Sequence, residues 1–268
     1  MKRIALIPIL GIVMLAASVP PLAASPAQQN KEAGFEVATI KPTSPDERAR
    51  YMTMQGAHQF VGKGYTLRFL VSAAYNLPPK AISGGPDWAD VDRYDILAAT
   101  PGETRPTVEE QMAMVRALLK DRFKLSFHTE PKEFSVYVLT AAKGGTKLKE
   151  TATPDEQPRL ISTVYPGDRI MMPARNATMA QFASTLQRAV LDRPVLDKTQ
   201  LPAKYDFDLE WTYDDSQFGG NLPPIAPQNS GKPDLFAALQ EQLGLKIESS
   251  RAPVDTIVID GVQKPSEN

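Results

Sequence analysis

The pattern of hydrophobic and polar positions recurs in the two halves of the chain. Apolar residues at helical spacing follow Thr66 and again Thr178, and a Tyr-Asp strand pattern at Tyr94 returns at Tyr205. A repeat of this length indicates a duplicated domain and not a solenoid of short units. We therefore expect two tandem modules, residues 35–153 and 154–268, with a loop insertion at 214–232 in the second.

Each half contains two predicted amphipathic helices that begin at a capping residue. Thr66, Thr178 and Asp234 can cap the first turn of a helix, and Thr107 with Glu110 forms a capping box. Gly244 is a typical helix stop. The buried stripes predicted behind these caps are Leu67, Leu70, Val71 and Ala74; Val108, Met112, Val115 and Leu119; Met179, Phe182, Ala183 and Leu186; and Leu235, Leu239 and Leu243.

Strand patterns lie between and after the helices. Alternating or β-rich runs occur at 35–41, 94–98 and 205–211. Each half closes on two such runs separated by a short polar turn, which we predict to be hairpins: 123–128 with 135–141, and 245–249 with 255–260. The predicted fold class is α+β, with each module an antiparallel sheet that has helices packed on one face.

The amino terminus has the order of a secretory signal peptide. Basic Lys2 and Arg3 precede an apolar run, and small residues follow it from Ala23. We predict a signal peptide at 1–24 and a flexible lead at 25–34, so the protein would be exported to the periplasm or the extracellular space. An uncleaved membrane anchor is the alternative, but the prolines in the run favour cleavage, which leaves no stable membrane span.

Composition narrows the function classes. The chain has 30 basic and 31 acidic residues, and loss of Lys2 and Arg3 with the signal makes it slightly more acidic. A chain with no basic field is a poor candidate for nucleic-acid binding. It contains no cysteine, which excludes disulfides and a thiol nucleophile.

The residues that could carry chemistry form no recognised signature. His58 and His128 lack the spacing of metal ligands, so we expect no metal site and no cofactor. The acidic residues at 87–95 and 206–210 fit solvated strand edges better than a calcium loop. No serine lies in the motif of a hydrolase. The sequence therefore leans away from an enzyme without excluding one.

Two functions remain open. The first is a non-catalytic ligand- or protein-binding or sensor module, with a cleft between the two modules. Its candidate binding residues are Trp88, Trp211, Tyr94 and Tyr205, for which core packing is the alternative. The second is a secreted hydrolase, which needs two acidic residues converging in a pocket and a raised pKa on one of them. Function is expected in loops that the halves do not share, namely the Gly84-Gly85 turn, the long charged link after the first Tyr-Asp strand, and the insertion.

Eight segments carry a family resemblance: 35–42, 82–88, 118–125, 136–139, 147–150, 193–199, 205–207 and 239–246. Together they resemble a family of exported bacterial proteins of unknown function that is abundant in soil acidobacteria. The resemblance covers the chain from Phe35 to the end and implies secretion, with no catalytic residue to carry over. Some relatives look as though they carry this domain behind a membrane metallopeptidase of the beta-lactam-sensor type, where it would be the extracytoplasmic part. This chain lacks a His-Glu-x-x-His motif, so such a partner would be a separate protein.

Overall fold

The computed structural model describes residues 34–160, 163–164, 169–220 and 233–266. The predicted signal peptide, all of the lead except Gly34, and residues 221–232 of the insertion lie outside these ranges. Within them, no helix is long and apolar enough to cross a membrane. All the described residues belong to one compact unit.

Thirteen strands and five α-helices are found in the described part of the chain. The helices are α1 (Leu67–Tyr75), α2 (Trp88–Val91), α3 (Val108–Arg122), α4 (Met179–Thr185, continued by a π-turn at Leu186–Val190) and α5 (Leu235–Ala238, continued by a π-turn at Leu239–Leu243). The strands are β1 (Val37–Pro42), β2 (Tyr51–Gln55), β3 (Gln59–Thr66), β4 (Ile82–Gly84), β5 (Arg93–Ala99), β6 (Ser126–Ala141), β7 (Lys149–Glu150), β8 (Arg159–Leu160), β9 (Thr163–Val164), β10 (Arg169–Ala177), β11 (Val195–Asp197), β12 (Tyr205–Thr212) and β13 (Leu245–Gly261).

Two sheets are antiparallel; the first lies in the half at 35–153, and the second is built from the half at 154–268 except for β7. The first sheet has the order β1-β5-β3-β2, and the second has the order β7-β12-β10-β8 with β9 also paired to β10. The α+β class predicted from the sequence is confirmed. Strands β2, β3 and β10 and the short strands β4, β7, β8, β9 and β11 were not predicted. Glycines and a lysine interrupt the apolar positions of β3, and a proline and charges interrupt those of β10.

The two predicted hairpins are wrong. Each pair of runs is one continuous strand, β6 or β13, and these two strands pair with each other antiparallel over their full lengths. The short strands β4 and β11 add to the outer edges in parallel, β4 beside β13 and β11 beside β6. This third sheet is therefore mixed and contains strands from both halves, which differs from the expected one antiparallel sheet per module.

Two hydrogen bonds near the end of β6 show which backbone groups point toward β13 and which point away from it. The N–H of Tyr137 donates to the carbonyl of Pro194 on the outer edge at 2.7 Å, whereas the N–H of Ala142 donates to Gly244 on the β13 side at 2.9 Å. Backbone groups of a strand alternate in direction. Odd-numbered residues of β6 therefore point outward, and even-numbered residues bond to β13.

The outward positions explain why the strands continue through prolines. Pro131 is odd-numbered, and Pro253 lies opposite Glu133 at an equivalent outward position of β13. A proline whose missing N–H would face away from its partner removes no ladder hydrogen bond. Each proline with its charged neighbours is typical of a turn in sequence, but the paired strand holds it in extended conformation.

Strands β6 and β13 come from different halves of the chain, and each packs side chains into the hydrophobic core of the other half. We call this the exchange of strands. Ile257 and Ile259 of β13 pack in the core that α1, α3 and the first sheet enclose. Leu139 of β6 packs in the core of α4, α5 and the second sheet. Neither core is built from its own half alone.

The Tyr-Asp segments have a structural role at a bulge in each antiparallel sheet. Asp95 accepts a hydrogen bond from the N–H of Gly64 at 3.0 Å, and Asp206 accepts one from the N–H of Asn176 at 2.8 Å. Gly64 and Asn176 both have positive φ, at 69° and 56°, and the register shifts beside each. The carboxylates therefore satisfy the N–H that each bulge leaves unpaired.

The helix predictions hold except at one residue. Thr66, Thr107, Thr178 and Asp234 cap their helices, and Gly244 has the left-handed conformation of a stop. The predicted stripes are buried apart from Val108, which is 52% exposed. Val108 occupies the first position of α3, where the helix has not yet reached the core.

We predict that proline scanning of β6 follows the odd–even rule. Lys132→Pro removes an N–H that bonds to β13 and should lower the free energy of unfolding by about 2 kcal/mol. Ser135→Pro replaces an outward N–H and should change it by less than half as much. Urea denaturation monitored by circular dichroism measures both, and equal losses would contradict the assigned strand directions.

Candidate functional site

An open groove lies where the end of α1, one face of α3 and the start of β6 meet. It has a volume of about 550 Å³. Tyr75 and Phe127 form an edge-to-face aromatic pair there, with ring centroids 5.1 Å apart. The lining residues are Tyr75, Ala113, Arg116, Ala117, Lys120, Leu125, Ser126 and Phe127, all from the half at 35–153.

The groove exists because α3 carries two different faces. Met112, Val115 and Leu119 lie in the core, whereas Ala113 and Ala117 face the groove. These alanines are four residues apart and therefore lie on the same face of the helix. Their small side chains leave space between α3 and β6, so the wall is apolar without filling the groove.

Positive charge is concentrated on the helix side of the groove. Arg116 is half-buried, and its Nη1 donates to the carbonyl of Ala74 at 2.6 Å. Its guanidinium lies 5.8 Å from the centroid of Tyr75. In the described part of the chain Arg116 has no acidic partner, and a guanidinium has five N–H donors. Arg116 is therefore held in place with donors left for an anionic ligand, and exposed Lys120 lies one turn further along.

The binding residues predicted from the sequence lie elsewhere and do not converge. Tyr94 is buried in the first core against Phe123, at 5.3 Å between ring centroids. Trp88 is half-buried at the edge of the same core, and Lys264 covers its ring at 5.6 Å. Burial, followed by the nearby charge of Asp92, raises the pKa of Tyr94.

Trp211 and Tyr205 belong to the second core. Trp211 is fully buried, its Nε1 donates to Gln217 at 2.8 Å, and its ring stacks on Phe218. Tyr205 is buried in the same cluster. Tyr94, Tyr205 and Trp211 are thus core residues, Trp88 lies at the edge of the first core, and none of the four lines the groove.

His128 and the acidic clusters have ordinary partners. His128 contacts Asp260 at 2.8 Å and Glu130 at 3.3 Å on the solvent face of β6 and β13. Among the described residues no group of acidic or histidine side chains could hold a metal ion. In the acidic clusters, Asp90 pairs with Arg68 and Asp208 with Arg175. Asp90 lies in α2 and Asp208 on β12, and each carboxylate is paired with an arginine at the surface.

In the described part of the chain, no two carboxyl groups converge in a buried pocket as the hydrolase hypothesis predicts. Among the described residues no aspartate or glutamate is buried, and none lines the groove. The pKa values that shift do so downward, at Glu47, Asp90, Glu130 and Asp214. For Asp90 the main cause is the hydrogen bond from Arg68. A general acid would need the opposite shift.

The Gly84-Gly85 turn has a steric explanation. Gly84 has a φ of 72°, and a Cβ at this position would lie 2.6 Å from the carbonyl oxygen of Ile259. The residue lets β4 approach β13 closely. Gly84 therefore serves the pairing of β4 with β13.

Comparison with protein families gives a match over most of the chain. The family described as Protein of unknown function (DUF3738) matches residues 68–262, which include α1, α3, β6 and β13. The chain belongs to the DUF3738 family. The DUF3738 match thus covers the whole groove and both exchanged strands. No curated protein and no solved structure matches the chain.

Sequence reasoning missed the groove, although α3 carried a signal for it. Ala113, Arg116, Ala117 and Lys120 recur at helical spacing on one face, beside the core stripe. A small-residue stripe with two cations differs from the acidic or mixed face of an ordinary solvated helix. What could not be read locally is that Tyr75 and Phe127 would form the opposite wall.

We predict a pH-dependent contribution of His128 to stability. Hydrogen bonds from the ring to Asp260, and then to Glu130, raise its pKa. The stabilisation is therefore fully present below the unfolded pKa of about 6.5 and is lost as the pH rises through the higher folded value. Urea midpoints should show His128→Asn less stable than wild type at pH 5.5, and the gap should shrink at pH 9.

His58→Asn is the matched control, because the His58 ring makes no hydrogen bond or ion pair in the described part of the chain. Its effect should not follow the His128 pattern. If His128→Asn lost the same stability relative to wild type at both pH values, the result would contradict a charged interaction of His128 with Asp260 and Glu130.

Proposed function

We propose that this DUF3738 protein is a non-catalytic, extracytoplasmic binding or sensor module and that the groove between α3 and β6 is its binding site. The observation that carries the proposal is the position of Arg116, a half-buried cation on the wall of an open apolar groove with no acidic partner among the described residues. A charge held in that way is costly to desolvate unless an anion arrives. The groove is thus suited to an anionic ligand.

The other lining residues indicate which chemical groups the ligand should carry beside its anionic group. Tyr75, Phe127 and Leu125 supply apolar contact, and Ser126 adds a hydroxyl. A volume of about 550 Å³ falls within the usual range for ligand sites. A ligand with a carboxylate or phosphate at one end and an apolar group beside it fits this combination.

Three further parts of the proposal rest on the sequence. Export is supported by the order of basic, apolar and small residues at 1–27. Duplication is supported by the recurring caps and Tyr-Asp segments, whose bulge contacts at Asp95 and Asp206 are alike. A separate membrane metallopeptidase is proposed as partner only from the family resemblance, and co-purification from the native membrane would test it.

We predict that reversing the groove charge abolishes ligand binding. Anionic probes in three classes, namely short acidic peptides, cell-wall muropeptides and acidic oligosaccharides, are first tested by thermal shift against neutral counterparts. At least one anionic class should raise the melting temperature of the wild type. In isothermal titration, Arg116→Glu should weaken that binding about tenfold or more, because an attractive contact becomes repulsive.

Lys143→Glu is the matched control, since Lys143 is exposed in the loop after β6 and does not line the groove. It makes the same change in net charge and should leave the affinity within about twofold. If none of the three classes binds, or if both variants weaken binding equally, the groove is not the binding site.

A further inference from the structure

The outer edge of β6 is uncovered next to the groove. Strand β11 pairs with β6 only at residues 137–139, and β13 occupies the opposite edge. From Ser126 to Val136 no described strand pairs with the outer edge. An uncovered edge presents backbone N–H and C=O groups that an added strand can use.

At the end of β6 that lies next to the groove, two residues point their backbone groups toward the uncovered edge. By the odd–even rule, Phe127 and Thr129 point their N–H and C=O groups away from β13. Phe127 also lines the groove. Pro131 is the next outward position and has no N–H to offer. The available ladder is therefore short, begins in the groove and stops at Pro131.

Helix α3 runs along the other side of the same groove. Ala113 and Ala117 leave room beside the strand, and Arg116 and Lys120 supply positive charge on that wall. A strand edge next to a helix is a known arrangement for binding an extended peptide. Here the backbone pairing would come from β6 and the selectivity from the cations.

We propose that an acidic peptide in extended conformation adds as a strand to the free edge of β6, paired with Phe127 and Thr129 and with a carboxylate at Arg116. This inference rests on the proposed function and names the ligand class of the same groove. The positive wall distinguishes this occupant from a second copy of the chain. The corresponding stretch of a second β6 carries Lys132 and His128 as well as Glu130 and Glu133, and Pro131 would interrupt a longer ladder.

The experiment uses the full chain and a displayed library of random eight-residue peptides. Selection on the wild type with counter-selection on Arg116→Glu yields candidate peptides, which are then synthesised and titrated. We expect selected sequences to contain aspartate or glutamate. Thr129→Pro removes one outward N–H from β6 without touching the bonds to β13, and should weaken the selected peptides about fivefold to tenfold.

Two controls separate the backbone effect from other changes. Thr129→Val keeps the N–H and removes the hydroxyl, so it should bind as the wild type does. Ser135→Pro makes the same backbone change at an outward position beyond Pro131 and should also bind normally. Circular dichroism and thermal melting confirm that each variant is folded before titration.

The outcomes separate this inference from the proposed function. Loss with Thr129→Pro alone supports strand addition. Equal binding by Thr129→Pro and wild type overturns it, and so does a library that yields no peptide dependent on Arg116. In either of those cases an anionic muropeptide or oligosaccharide that still needs Arg116 would leave the proposed function intact. If no anionic probe of any kind binds, both proposals fail together.

Discussion

The pairing of β6 with β13 is the constraint on which the rest of the structure depends. It brings the end of the first half against the end of the second over the full length of both strands. Each strand then contributes apolar side chains to a core on either side, as Ile259 and Leu139 do. A two-stranded ribbon alone is marginal in water, so the ribbon and the two cores stabilise each other.

Local features of the sequence were readable because their physics is local. A cap acts within one helical turn, as Thr107 and Glu110 do, and a buried stripe is a matter of residues three and four apart. Those predictions hold, with Val108 as the exception at a helix end. The Tyr-Asp repeat was also visible, but its purpose was not, since the bulge N–H that each aspartate accepts lies about thirty residues away.

The two hairpin predictions were wrong because the deciding factor does not lie in the local sequence. Whether Pro131 ends a strand depends on which edge its nitrogen faces, and only the partner strand sets that direction. The groove likewise depends on contacts between residues that are distant in sequence. The cations and alanines of α3 can be read from the sequence, but the facing wall requires Tyr75 and Phe127, which lie about fifty residues apart and meet only in the folded protein. Of the aromatic residues chosen from the sequence, three are buried in the cores, as large rings often are, and Trp88 is half-buried at the edge of the first core.

The exchange of strands also has a consequence for how the chain can fold as it is made. The core around α1 and α3 is closed by Ile257 and Ile259, which are synthesised more than a hundred residues after those helices. Until they arrive, Phe123 and Leu119 lack part of their packing, so the first half cannot finish folding ahead of the second. Contacts so distant in sequence slow folding and prolong the exposure of apolar surface. A nascent chain of this protein is thus dependent on its final segment, and a short deletion at the carboxyl terminus would damage the core nearest the amino terminus.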